Sequence, residues 1–180
     1  LSFLALVVLA PFLLPVVAIL RFTGEGEVFY IQERAGRGGN SFGLYKFATM
    51  LKNSPNIGAG EITVREDPRV LPFGRFLRKY KLDELPELLN IIKGEMSFVG
   101  PRPALFNQYD LMELRNIKGL NIIKPGITGW AQIKQPFDTT VKDVRQKLKY
   151  DFFYIENLSF RLDVKIIINT IWVVFWGHSR

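Results

Sequence analysis

Cysteine is absent from this 180-residue chain, and histidine occurs once, as His178. Together these scarcities exclude a disulfide, a thiol nucleophile, a cysteine-based zinc site and any histidine cluster. A bound metal would have to rest on carboxylates, which points to a hard cation such as magnesium or manganese. Acidic residues are themselves in deficit, with 17 Asp+Glu against 24 Lys+Arg, so the formal net charge is +7. That excess favours an anionic partner: nucleic acid, an anionic membrane surface or a phosphorylated substrate. There is no internal repeat and no low-complexity tract, and with 48% hydrophobic and 13% aromatic residues the chain is not a disordered polymer. Its length suits one functional unit with a real core rather than two ordinary domains.

Charge is missing altogether from residues 1–20, LSFLALVVLAPFLLPVVAIL. A run of that kind belongs in lipid or in a core, and its length allows a crossing. Pro11 and Pro15 each remove a helix donor and crowd the preceding turn, so a break or bend is expected near Pro11. Two readings follow: a kinked transmembrane span, or a re-entrant helix-break-helix that enters one leaflet and returns. A cleaved secretory signal is not expected, because no small-residue cleavage site precedes Arg21. Leu1 falls inside the apolar run with no initiator methionine, which leaves open a segment upstream of it.

Beyond Arg21, alternating runs at 28–32 and 42–47 flank Gly36, Gly38 and Gly39 and predict a β-hairpin. The glycine spacing matches neither the dinucleotide fingerprint nor the lysine-terminated phosphate loop, so they are read as a turn needing positive φ. Residues 52–63 are polar, without periodicity, and predict a mobile surface loop. From 74 to 93 the apolar spacing suits helices, with Asp83 where a new helix would start. Near the end, FRLDVKIIINTIWVVFWG reads either as a core helix or as an interfacial one with Trp172 and Trp176 at headgroup level.

The stretch RKYKLDELPELLNIIKGEMSFVGPRP, residues 78–103, is the densest in chemistry. Asp83 and Glu84 are adjacent, and adjacent helical residues point about 100° apart. They converge only at a helix end, where free N–H groups also stabilise a carboxylate and a phosphoryl group beside it. Taken alone, the pair is better explained by capping than by catalysis. Arg78, Lys79 and Lys81 crowd it with cations suited to a diphosphate. Gly100-Pro101-Arg102-Pro103 holds an arginine in a stiff frame able to grip phosphate through two hydrogen bonds. Lys124-Pro125-Gly126-Ile127-Thr128-Gly129-Trp130 is a turn followed by an aromatic that could pack on a nucleobase.

At these residues the chain resembles the bacterial sugar transferases, monotopic phosphoglycosyl transferases that begin glycan assembly on polyprenyl phosphate. The likeness rests on Leu82-Asp83-Glu84-Leu85, on Lys93-Gly94-Glu95-Met96-Ser97-Phe98-Val99-Gly100-Pro101-Arg102-Pro103 and on Pro125-Gly126-Ile127-Thr128-Gly129-Trp130-Ala131-Gln132. Tyr45-Lys46-Phe47, Thr49-Met50, Ser159-Phe160 and Leu162-Asp163-Val164-Lys165-Ile166 extend it over nearly the whole chain, in order.

The resemblance implies an α+β fold, mostly helical with a short hairpin: a re-entrant membrane helix at 1–22 broken at Pro11, then a catalytic domain at 23–180 with interfacial helices. It implies that Asp83 attacks the β-phosphate of a UDP-sugar, releasing UMP and leaving a phosphosugar on the enzyme for undecaprenyl phosphate to collect. Glu84 would assist through an Mg²⁺ site shared with Asp83 or by proton transfer. Arg78, Arg102 with Pro101 and Pro103, and Lys46 would bind substrate. The implied setting is the cytoplasmic face of the bacterial inner membrane, among membrane lipids, in exopolysaccharide or O-antigen assembly. No nucleic acid is involved, and a homo-oligomer is left open. The chain departs from the family's pattern at Ala10, where a serine usually precedes the proline, and at Ile133-Lys134-Gln135-Pro136-Phe137, where a Gly-Arg-Asn run is common. Two other readings stay open: a membrane-surface binding protein and a metal-dependent phosphohydrolase with water in place of the lipid phosphate.

Overall fold

The uncharged run folds into a single helix. The computed structural model describes residues 2–23, 25–57, 67–105, 119–135 and 141–175, and in it α1 spans Ser2–Thr23 with Pro11 and Pro15 inside. The expected division into two helices near Pro11 is therefore not seen. A proline ring holds φ near the helical value and removes one bond to the carbonyl four residues back, so the flanking turns can carry the helix past it. α1 is long and apolar enough to cross a membrane, and only 6% of its apolar window is buried. Phe3, Leu4, Val8, Phe12 and Leu14 all stand exposed.

The chain forms two compact units, one from Leu1–Gln32 and Tyr45–Leu89, the other from Glu33–Leu44 and Asn90–Arg180. The core of the first unit is Leu20, Phe47 and Leu77, with Leu13, Val17, Phe73 and Leu82 packed against it. Fully burying one such leucine contributes about 2 kcal/mol. Leu77 and Phe73 belong to α2, Pro72–Lys79, which starts on a proline preset for the first turn and ends on Arg78 and Lys79, whose charge suits the helix terminus. Upstream of α2, Arg69 donates to both oxygens of Asp67 (2.8 and 2.6 Å) and to the carbonyls of Ser54 and Ile57 (2.7 Å each). This buried clamp holds Ser54 and Ile57, in the first part of the segment 52–63 expected to be a mobile loop. Ser54–Asn56 is a short 3₁₀ turn, and residues 58–63 of that expectation lie outside the described residues.

The hairpin forms as expected: β1, Phe29–Ala35, pairs antiparallel with β2, Ser41–Phe47. Gly38 and Gly39 take φ of 73° and 79° in the connection, so the turn reading of these glycines holds. β1 runs three residues past the predicted strand. Its end is secured within the second unit, where the Ala35 N–H donates to the Ala104 carbonyl at 3.0 Å and Arg34 to the Pro103 carbonyl at 3.0 Å.

α3, Glu87–Ile92, leads into a second, parallel strand pair that local pattern did not predict. β3, Ser97–Val99, pairs with β4, Gly126–Thr128, in the register Ser97↔Gly126 and Val99↔Thr128. A side chain on Gly126 would put Cβ 2.1 Å from the Gly100 nitrogen, and one on Gly129 would put it 2.2 Å from the Gly100 carbonyl oxygen. The glycines of the two motifs are thus required by the same close backbone approach. Three helices follow: α4, Trp130–Lys134, α5, Val141–Glu156, and α6, Phe160–Phe175. Val99, Tyr154 and Ile166 form the core there, and the Tyr154 hydroxyl donates to Asp163 at 2.8 Å. On α6, Phe160, Val164, Ile167, Ile168, Ile171 and Trp172 are all exposed. Their spacing makes one apolar stripe, which a core helix would have covered. Trp176 lies outside the described residues.

Asn90 organises the link from α3 to β3. It is fully buried, and its amide donates to the Gly43 carbonyl and to Glu95, both at 2.7 Å. Removing this donor takes a bond from two part-buried acceptors, at about 1–3 kcal/mol each. Asn90→Ala should therefore lower unfolding stability by about 3 kcal/mol, read as a reduced denaturation midpoint in detergent. An unchanged midpoint would contradict this role.

Candidate active site

The acidic pair sits in a tight turn rather than at the start of an α-helix. After α2, Lys81 adopts left-handed backbone angles (φ 58°, ψ 20°), and Leu82–Glu84 form a single 3₁₀ turn. The Leu85 N–H donates to the Leu82 carbonyl at 3.2 Å. Pro86 has no N–H to continue that ladder, so α3 begins only at Glu87. The expectation that Asp83 opens a helix is corrected accordingly: the residue preceding the turn is Lys81, and no side chain caps that turn.

The turn points both carboxylates inward, leaving Asp83 9% and Glu84 8% exposed. Glu84 accepts from the Lys46 ammonium at 3.0 Å, and the same ammonium lies 3.3 Å from Glu87, which is 2% exposed. Asp83 is treated differently. Its Oδ1 is buried and has no hydrogen-bond partner among the described residues. Burial, and then the charge of Glu84, pushes its carboxyl above the ordinary carboxylate range, while Lys46, Lys81 and Arg78 pull it back down. Arg78, in the last turn of α2, donates its Nε–H to the Thr49 hydroxyl at 2.8 Å.

Lys46, Arg78, Asp83 and Glu84 therefore belong to one unit of the chain, whereas Pro101, Arg102 and Pro103 belong to the other. In that second unit Pro101 is fully buried, Pro103 is buried and Arg102 is half-buried. Trp130, read as a platform for a base, has its ring stacked on Phe153 (centroids 5.6 Å apart) with the Lys134 and Lys165 ammoniums 4.8 and 5.6 Å from its centre. Two roles escaped sequence reasoning. Glu87 follows Glu84 by three residues, a spacing that puts both on one face of a turn and could have flagged it. The tie between Thr49 and Arg78 has no comparable signal.

The linkage sign for Asp83 follows from its raised titration. At low pH both folded and unfolded chains carry the proton and no penalty exists. As pH rises through the folded-state value, the folded chain must bury a charge that the unfolded chain keeps in water, and stability falls. Asp83→Asn should therefore melt at a higher temperature than the wild type at neutral pH, with the gap closing as the solution is acidified. Thermal unfolding across a pH series checks this, and a variant that melts lower at neutral pH would contradict it.

Comparison with known proteins identifies the family. The model of the bacterial sugar transferase family matches residues 1–177. The UDP-N-acetylgalactosamine-undecaprenyl-phosphate N-acetylgalactosaminephosphotransferase of Aeromonas hydrophila is 36% identical over 179 residues, covering 98% of this chain and 42% of the relative. The UDP-glucose:undecaprenyl-phosphate glucose-1-phosphate transferase of Xanthomonas campestris is 35% identical, over 94% of this chain and 36% of the relative. An uncharacterized sugar transferase of Bacillus subtilis, EpsL, is 38% identical over 86% of this chain and 73% of its own length. The chain thus spans less than half the length of the first two relatives. A family match over nearly every residue, with relatives at this level of identity, means that the chain belongs to the bacterial sugar transferases.

Proposed function

We propose that the protein transfers a sugar 1-phosphate from a UDP-sugar to undecaprenyl phosphate and releases UMP, with Asp83 as the nucleophile. The observation that carries this reading is the buried Oδ1 of Asp83, without a hydrogen-bond partner among the described residues, amid Lys46, Lys81 and Arg78. The large majority of buried side-chain polar atoms are hydrogen-bonded. A carboxylate held without such a bond, its charge supported by cations, is set up to form a bond to phosphorus. The names of the Aeromonas and Xanthomonas relatives supply the class of donor and acceptor.

In the first half-reaction an Asp83 oxygen bonds to the β-phosphorus, and the bond from that phosphorus to the bridging oxygen breaks, its electron pair leaving on UMP. The product is a mixed anhydride of aspartate and sugar phosphate. An undecaprenyl phosphate oxygen then bonds to the same phosphorus and expels the Asp83 carboxylate, which regenerates the enzyme. Arg78, in the same unit as Asp83, holds a phosphate oxygen. Lys46, engaged by Glu84 and Glu87, keeps the acidic turn in place. The residues also fit magnesium. Asp83 offers an open oxygen, and this ion commonly takes one or two carboxylates together with water and substrate phosphate oxygens. Among the described residues no group of three or more potential ligands gathers. When bound, the ion neutralises charge on the diphosphate.

α1, bent within its helical course at Pro11 so that both ends return to one side, would seat its unit at the cytoplasmic face of the inner membrane, and the apolar stripe of α6 would likewise lie at a lipid interface. A soluble nucleotide sugar and a long-chain lipid phosphate can then meet at one carboxylate. If so, protease accessibility in oriented vesicles places both ends of α1 on one side. Cleavage sites on opposite sides would replace this topology with a spanning helix.

The reaction is tested by UMP release from detergent-solubilised protein given Mg²⁺, undecaprenyl phosphate and a panel of UDP-sugars. We expect lipid-dependent release from one sugar and a loss of about 1,000-fold or more in Asp83→Asn. Full-rate release without lipid would instead indicate a phosphohydrolase. Membrane or lipid binding without turnover, unaffected by Asp83→Asn, would indicate a binding protein.

A further inference from the structure

Arginine side chains carry about 2 kcal/mol of rotamer entropy, so an arginine that must meet a phosphate at a set angle gains from being fixed in advance. Arg78 is fixed from an unexpected direction. Thr49, just past the end of β2, is 4% exposed. Its carbonyl accepts the N–H of Leu71, the residue before α2, at 3.0 Å, and its hydroxyl accepts the Arg78 Nε–H at 2.8 Å. One residue thus holds both ends of α2, by backbone at the start and by side chain at the last turn.

The contact has no slack between those ends. A Cβ on Gly74, one helical turn before Arg78, would lie 2.2 Å from the Thr49 carbonyl oxygen and 2.9 Å from the Thr49 Cβ. α2 therefore lies directly on Thr49, and the two bonds define a rigid seat. The guanidinium is planar with its donors in a fixed fork, so pinning Nε sets the plane in which the two terminal nitrogens point.

We propose that Thr49 is a positioning residue for the transfer reaction, its hydroxyl orienting the Arg78 guanidinium for a substrate phosphate. The assignment rests on the reaction proposed above and adds to it a residue that does not touch substrate. Losing the hydroxyl leaves Arg78 present and charged but without the bond that orients its Nε, which impairs transfer through geometry. Restoring a hydroxyl on a different side chain restores it.

The test uses the full chain in detergent and two readouts. In steady-state UMP release, Thr49→Val, which keeps the shape and removes the acceptor, should lose about 10- to 100-fold in kcat/KM. Thr49→Ser should return most of it, and Thr49→Val should have no further effect once Arg78→Ala is present. Wild-type activity in Thr49→Val, failure of serine to rescue, or losses that multiply with Arg78→Ala would each overturn the proposal. The second readout needs no turnover. The ¹⁵Nε–H signal of Arg78, assigned by its loss in Arg78→Lys, should be protected from solvent exchange in the wild type and in Thr49→Ser but not in Thr49→Val. Rapid exchange in the wild type overturns the positioning role even if Thr49→Val fails to fold. A wild type that releases no UMP yet protects this proton would instead indict the reaction and leave the geometry standing.

Discussion

A carboxylate taken out of water loses hydration that only hydrogen bonds or nearby cations can replace, and in Asp83 one oxygen has no such bond among the described residues. Much else in the first unit serves to keep that group buried and still ionisable. Leu82, its neighbour in the turn, packs on the Leu20, Phe47 and Leu77 core, so the turn cannot relax toward solvent without opening apolar surface. Lys81 accepts a left-handed conformation, at about 1 kcal/mol for a side-chain-bearing residue, and this reverses the chain after α2. Lys46 offsets the charge of Asp83 while anchored by Glu84 and Glu87. Such an arrangement trades stability for reactivity, as functional sites commonly do.

The second unit solves a different problem. Its proline-framed arginine sits in a segment that begins with Gly100 and ends in the bonds from Arg34 and Ala35 to the Pro103 and Ala104 carbonyls. Gly100 and Gly126 pack backbone to backbone beside the β3–β4 pair. The two glycine-bearing motifs, well separated in the chain, are thus halves of one construction. Along α6, the face opposite the buried Ile166 is an apolar stripe with a tryptophan, as expected of a helix lying at a lipid interface.

What could be read in advance was mainly what is local. The hairpin follows from alternation and glycine punctuation, and α1 from composition alone. Its continuity through Pro11 and Pro15 did not follow, because a proline's effect depends on whether the flanking turns hold the helix together. β3 and β4 are three residues each, too short for a periodic signal, and their pairing is long-range. Asp83 and Glu84 stood out by adjacency, surrounding charge and family likeness. Their placement in a 3₁₀ turn depended on Pro86 denying α3 an earlier start. Glu87 was not singled out and Thr49 was noted only within the family likeness, because the ion pair of one and the hydrogen bond of the other join residues that only the tertiary fold brings together.

The central claim is that the Asp83 carboxylate itself becomes bonded to the sugar phosphate. It is tested most directly by mixing the full chain with the productive UDP-sugar and Mg²⁺ in the absence of lipid acceptor, quenching within the first turnover and measuring the intact mass. This account predicts a gain of one sugar phosphate, mapped to Asp83 by peptide analysis and discharged when undecaprenyl phosphate is supplied before the quench. An adduct on another residue, or efficient lipid-dependent turnover with no adduct at any time point, would contradict it.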